Sequence, residues 1–189
     1  MHAFIVSFGV IFVAELGDKS QLMALTFSAR YRALPILIGI AIATAIVHAF
    51  SVIVGAVLGA TLPTRAISAF AGLAFFAFAA WTLRGDSLDE DEAGRAGRST
   101  HSPVVAASVA FFVAELGDKT MLATITLATT QSLFGTWAGS TAGMVTADAL
   151  AIGVGHQLGA RLPERAIRIG AALAFVAFGV LLLAEAIRG

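Results

Sequence analysis

The residues able to do chemistry are concentrated in one octet that the chain contains twice. FVAELGDK runs from 12 to 19 and again from 112 to 119, each time inside a long apolar stretch. An ionisable side chain in such a setting is costly to hold, so it marks a functional site by default. On a continuous helix Glu15, Asp18 and Lys19 share one face, as do Glu115, Asp118 and Lys119, because residues three and four apart are neighbours. Brought together, four carboxylates against two ammoniums leave a formal −2, which suits one divalent cation. Cation binding and protonation then compete for the same oxygens, the physical basis of proton-coupled exchange.

Ser20 and Thr120 add hydroxyls one position after each lysine, and Gln21 adds an amide oxygen where the second copy has Met121. The candidate metal ligands are therefore Glu15, Asp18, Ser20, Gln21, Glu115, Asp118 and Thr120. A donor set rich in oxygen favours calcium, magnesium or manganese over copper or zinc; Met121 reads first as ordinary helix packing, and its thioether would tilt the choice slightly from calcium toward manganese only if it reached the ion. Lys19 and Lys119 have no acceptor and support the site rather than ligate. Gly17 and Gly117 permit a local break that would free backbone carbonyls, as in discontinuous transporter helices.

A blander reading makes the motifs two structural salt bridges, Glu15–Lys19 and Glu115–Lys119, in a non-transporting membrane scaffold. That reading leaves Asp18 and Asp118 without a purpose. Paired carboxylates can also do acid–base work, but no nucleophile constellation or zinc-ligand spacing accompanies them, so an enzyme is not expected. His48 and Asp148 align at mid-segment, each a possible proton carrier, gate or packing residue; histidine titrates near neutrality. His156 falls near a segment end, which suits an interface, while His2 and His101 say little.

The elements that must position these residues follow from composition. The 189-residue chain is 58% hydrophobic and 13% charged, with 14 Phe and a mean hydropathy of +0.89. Soluble domains carry roughly 25% charged residues, so the natural solvent here is lipid. A net charge of +0 gives no footprint for nucleic acid. The absence of cysteine removes disulfides and thiolate metal sites. No basic leader with a cleavage site precedes the first apolar run, so no cleaved signal peptide is expected.

Six apolar segments, near 4–27, 34–58, 66–84, 104–127, 133–158 and 167–187, are long enough to cross a bilayer core of ~30 Å. LGATLPTRAI at 58–67 matches LGARLPERAI at 158–167, and LAFFAF at 73–78 matches LAFVAF at 173–178, all at the motif's offset of 100 residues. The expected fold is an all-α polytopic membrane protein with six transmembrane helices in two repeats, 1–84 and 104–189. A hydrophilic linker, 85–103, joins them. Three spans per half is an odd number, so parity inverts the second repeat relative to the first, the arrangement of many secondary transporters. Small residues at Gly39, Ala43 and Val47 and at Gly139, Gly143 and Ala147 suit close helix packing, within the bundle or in a homodimer.

With the N-terminus outside, the inner side receives Arg30, Arg32, Arg84, Arg95, Arg98, Arg161, Arg165 and Arg168, and the outer side only Arg65 and Arg188. The positive-inside rule then puts both termini outside and the linker in the cytoplasm. Its acidic cluster, Asp86 with Asp89 to Glu92, lacks the alternation of a calcium loop and reads as a solvated stretch.

The two copies ELGDKS (15–20) and ELGDKT (115–120) resemble the duplicated E-x-G-D-(K/R)-(S/T) signature of the Gdt1 (TMEM165-like) family of membrane cation transporters. The likeness covers essentially the whole chain. It implies a cation–proton antiporter moving Mn²⁺ or Ca²⁺, with no tightly bound cofactor. The signature falls on Glu15, Gly17, Asp18, Lys19 and Ser20 and on Glu115, Gly117, Asp118, Lys119 and Thr120. It does not extend to His48, His156 or Met121. A chain with so little soluble material resembles bacterial members, among them manganese exporters of the inner membrane; a Ca²⁺/H⁺ antiporter with the same site is the nearest alternative.

Overall fold

The computed structural model describes residues 1–84, 102–158 and 164–188, and the side chains of these except 154–158, 164 and 167. The linker expected at 85–103 lies almost wholly outside them, as does the side chain of His156. All regular structure in the described residues is helical: α1 (His2–Glu15), α2 (Lys19–Ser28), α3 (Ala33–Thr61), α4 (Thr64–Arg84), α5 (Pro103–Glu115), α6 (Lys119–Ala128), α7 (Leu133–Leu158) and α8 (Glu164–Arg188).

This corrects the expectation of six transmembrane helices in two inverted three-helix repeats. Of the eight helices among the described residues, three are long and apolar enough to span a membrane: α3, α4 and the Arg168–Arg188 stretch of α8. The apolar runs 4–27 and 104–127 are each broken in two at the motif. Leu16 and Leu116 are extended, Gly17 and Gly117 take φ of +76° and +81°, and Asp18 and Asp118 are extended N-caps of the next helix. A left-handed residue followed at once by an N-cap ends one helix and starts another. Helix α7 is unbroken, but Ser140, Thr141 and Asp148 interrupt its apolar run and it is not among the three. With four helices per half among the described residues, the parity argument for inversion falls.

Other boundaries follow local chemistry. Pro63 follows the end of α3, and Pro103 opens α5 at the first turn, where its missing N–H costs nothing. Along α3, Ile38, Ile42, Ile46, Phe50 and Ile53 are exposed, a greasy outer stripe that fits lipid contact.

The two halves are interleaved. Helix α7 packs along α1 and against α2, whereas α3 packs along α5 and α6; α4 pairs with α8. Gly139 and Gly143 let α7 approach the backbone of α1 so closely that a Cβ at Gly143 would lie 2.6 Å from the Phe8 carbonyl. The small-residue stripes thus serve packing inside the bundle. Equivalent positions also meet each other: Thr44 donates to the Met144 sulfur at 3.3 Å, and Phe75 packs on Phe175 with ring centroids 5.8 Å apart. Two apolar clusters result, one joining α2 and α3 to α5 and α7, the other joining α1 and α4 to α6, α7 and α8. The motif breaks lie within this interleaved packing.

Candidate cation site

Each break places a glutamate at the end of one helix and an aspartate at the start of the next, with both side chains sealed from solvent. Glu15, Asp18, Glu115, Asp118 and Lys119 are all buried, as are Ser20 and Thr120. The hydroxyls behave alike. Ser20 donates to Glu15 Oε1 and, at 3.1 Å, to Asp18 Oδ2; Thr120 donates to Glu115 Oε2 at 2.7 Å. One oxygen of each glutamate is therefore taken, while Glu15 Oε2 and Glu115 Oε1 have no hydrogen-bond partner.

The two motifs meet through an ion pair between halves: Lys119 Nζ donates to Asp18 Oδ1. Because each helix breaks between Glu and Asp, the one-face geometry expected for Glu15, Asp18 and Lys19 does not arise, and Ser20 is the donor that reaches Glu15. Asp118 keeps the ordinary capping role, accepting from the Thr120 N–H at 3.5 Å. Asp18 turns its carboxylate to Lys119 and Ser20 instead.

Gln21 and Met121 prove to be equivalent in one respect that their chemistry hides. Gln21 Oε1 accepts the Gly17 N–H at 2.8 Å, and the Met121 sulfur accepts the Gly117 N–H at 3.2 Å. Both satisfy the backbone donor that the break leaves over. The Gln21 amide also donates to the Ala147 carbonyl at 3.1 Å, linking the first break to α7. Asp148, next on that helix, is fully buried with both oxygens unpartnered. His48 is buried on α3 with Nδ1 3.5 Å from Thr141 Oγ1 and Nε2 unpartnered. Among the described residues, no three His, Asp or Glu side chains converge as a closed metal-binding group.

The positive φ makes the glycines themselves testable. Gly17→Ala and Gly117→Ala are each expected to lose about 1–2 kcal/mol of stability, the cost of a left-handed L-residue. Gly9→Ala, with ordinary φ and open space around its Cβ, should lose nothing. Unfolding temperatures in detergent check both; equal behaviour of all three would contradict the strained turn.

Comparison with known proteins agrees with this duplicated geometry. The sequence profile of the family described as divalent cation/proton antiporter GDT1 matches residues 3–90 and 103–189. The chain belongs to the Gdt1 family. A Vibrio cholerae protein named "Putative manganese exporter" is 34% identical over 171 residues, covering 89% of this chain and 84% of its own. A GDT1-like protein of Synechocystis is 30% identical, covering 95% and 96%. The chloroplastic GDT1-like protein 2 of rice is 32% identical, covering 94% of this chain and 59% of its own. No solved structure matches. Gdt1 membership makes the chain a divalent-cation transport protein of the membrane rather than an enzyme.

Proposed function

We propose that the chain exports Mn²⁺ from the cytoplasm in exchange for protons, using the two ELGDK(S/T) breaks as one transport site. The observation that carries this reading is the pairing of the motifs through Lys119 and Asp18, beside two buried glutamates that each keep an oxygen without a donor. A buried carboxylate oxygen without a donor is unfavourable; a cation or a proton would satisfy it. Glu15, Asp18, Glu115 and Asp118 are the assigned ligands, with Ser20 and Thr120 fixing the glutamates and supplying hydroxyl oxygens. Gln21, whose amide is committed to Gly17 and Ala147, braces the break. Lys119 neutralises Asp18 while no metal is present.

Manganese is preferred to calcium because the Vibrio cholerae relative is named for it; the oxygen donors themselves would take either ion. The proposed location is a bacterial inner membrane, with residues 85–103 on the cytoplasmic side, where Arg84, Arg95 and Arg98 satisfy the positive-inside bias.

Proteoliposomes with pH and membrane potential set independently test the proposal. An imposed proton gradient should drive Mn²⁺ uphill, and Ca²⁺ should compete weakly. Flux indifferent to the pH gradient would remove proton coupling, and Ca²⁺ outcompeting Mn²⁺ would favour the calcium antiporter.

A further inference from the structure

Asp148 is the buried acid that neither motif accounts for. It lies on α7, which packs along α1 and touches α2, the helices on either side of the first break. The Gln21 amide, hydrogen-bonded to the Ala147 carbonyl, holds the preceding residue against that break. Asp148 is fully buried, and neither carboxylate oxygen has a hydrogen-bond partner. A polar residue kept for helix packing normally finds a donor, because an unpaired buried charge is expensive. Here three buried acids, Glu15, Glu115 and Asp148, present oxygens with no partner, and α7 packs on α1, α2 and α6, helices of both breaks. The counterpart of Asp148 in the first half is His48, so only one half supplies this third acid.

We propose that Asp148 is a further ligand of the transported divalent cation: the three acids form no closed metal-binding group in this structure, and the Asp148 carboxylate closes from α7 onto the ion together with those of Glu15 and Glu115. The proposal deepens the reading of the motifs as the transport site and rests on it. It makes the site lopsided: α7 contributes an anionic ligand, and α3 contributes His48 at the equivalent position. A repeat pair with identical motifs thereby gains a coordination sphere that the motifs alone do not specify.

The test measures thermal unfolding of the full chain in detergent with and without MnCl₂, and Mn²⁺ flux in proteoliposomes. Asp148→Asn should unfold at a temperature no lower than the natural chain without metal, since the amide replaces a buried acid that has no partner. It should lose most of the Mn²⁺-induced stabilisation and need about 10–100-fold more Mn²⁺ for half-maximal flux, the scale on which metal sites respond to lost partners. Glu15→Gln measured alongside separates the two levels of the argument. If it loses Mn²⁺ stabilisation while Asp148→Asn keeps it, Asp148 is not a ligand and the motif site stands. If both keep it, the motif site falls and the proposal with it. Should Asp148→Asn fail to fold, Asp148→Ser takes its place; failure of both neutral variants makes the acid structural and overturns the proposal.

Discussion

Glu15→Gln and Glu115→Gln are each expected to reduce Mn²⁺ flux by about 100-fold or more while leaving the protein at least as stable as before. The first half of that expectation comes from ligand chemistry. An outer-shell partner of a metal site is worth roughly 10–100-fold, and a direct anionic ligand should reach the upper end or exceed it. Glutamine also cannot release or accept the proton that exchange requires. The second half comes from the hydrogen bonds. Ser20 and Thr120 donate to one oxygen of each glutamate, and the amide oxygen of glutamine can still accept them. The other oxygen has no partner, so exchanging it for an N–H₂ removes a buried acid that otherwise needs a proton or a cation and offers a donor to neighbouring acids. A scaffold held together by its motif charges predicts the opposite sign, loss of stability. Flux and unfolding temperature measured on the same preparations decide between them; unchanged flux in both variants would sink the transport site.

What the sequence made legible, and what it hid, divides along a physical line. Residue type and spacing expose the motif, because charged residues in an apolar run stand out whatever the fold. The unbroken spans are equally visible: 34–58 and 66–84 lie inside Ala33–Thr61 and Thr64–Arg84, and 167–187 lies inside Glu164–Arg188. Hydropathy cannot see backbone angles, so 4–27 and 104–127 read as continuous although each turns at its glycine. The signal for that turn is present in the letters, a glycine that can stop a helix directly before an aspartate that can start one. The Lys119–Asp18 pair was hidden for a different reason. Helical periodicity tells which residues share a face of one helix, not which helix lies opposite. The interleaving that brings α6 to α2's N-terminus is a property of topology. Gln21 and Met121 look like a chemical asymmetry in a ligand set, yet the structure uses both to satisfy a glycine N–H.

The ion pair between halves supports the second large expectation, framed as a double-mutant cycle. Asp18→Asn takes the Asp18 carboxylate away from buried Lys119, and Lys119→Met takes the Lys119 ammonium away from buried Asp18. Breaking one side of a buried pair costs about 3–5 kcal/mol, whereas replacing both partners with neutral groups of similar size is often close to neutral. The double variant should therefore recover most of the stability that either single variant loses, a non-additivity that equilibrium unfolding in detergent reads directly. Strict additivity would mean that the two side chains do not depend on each other. Transport separates the partners further. The double variant should stay inactive, because Asp18 is gone as a ligand. Lys119→Met alone should bind Mn²⁺ more tightly than the natural chain yet move it more slowly. Asp18 then has the Lys119 ammonium no longer competing with the ion, and that ammonium no longer helps displace the ion on the release side. Mn²⁺ should also restore much of the stability that this variant lost, since the metal can stand where the lysine stood. If Mn²⁺ fails to do so, Lys119 and the cation do not share Asp18, and the lysine acts only as a structural tie.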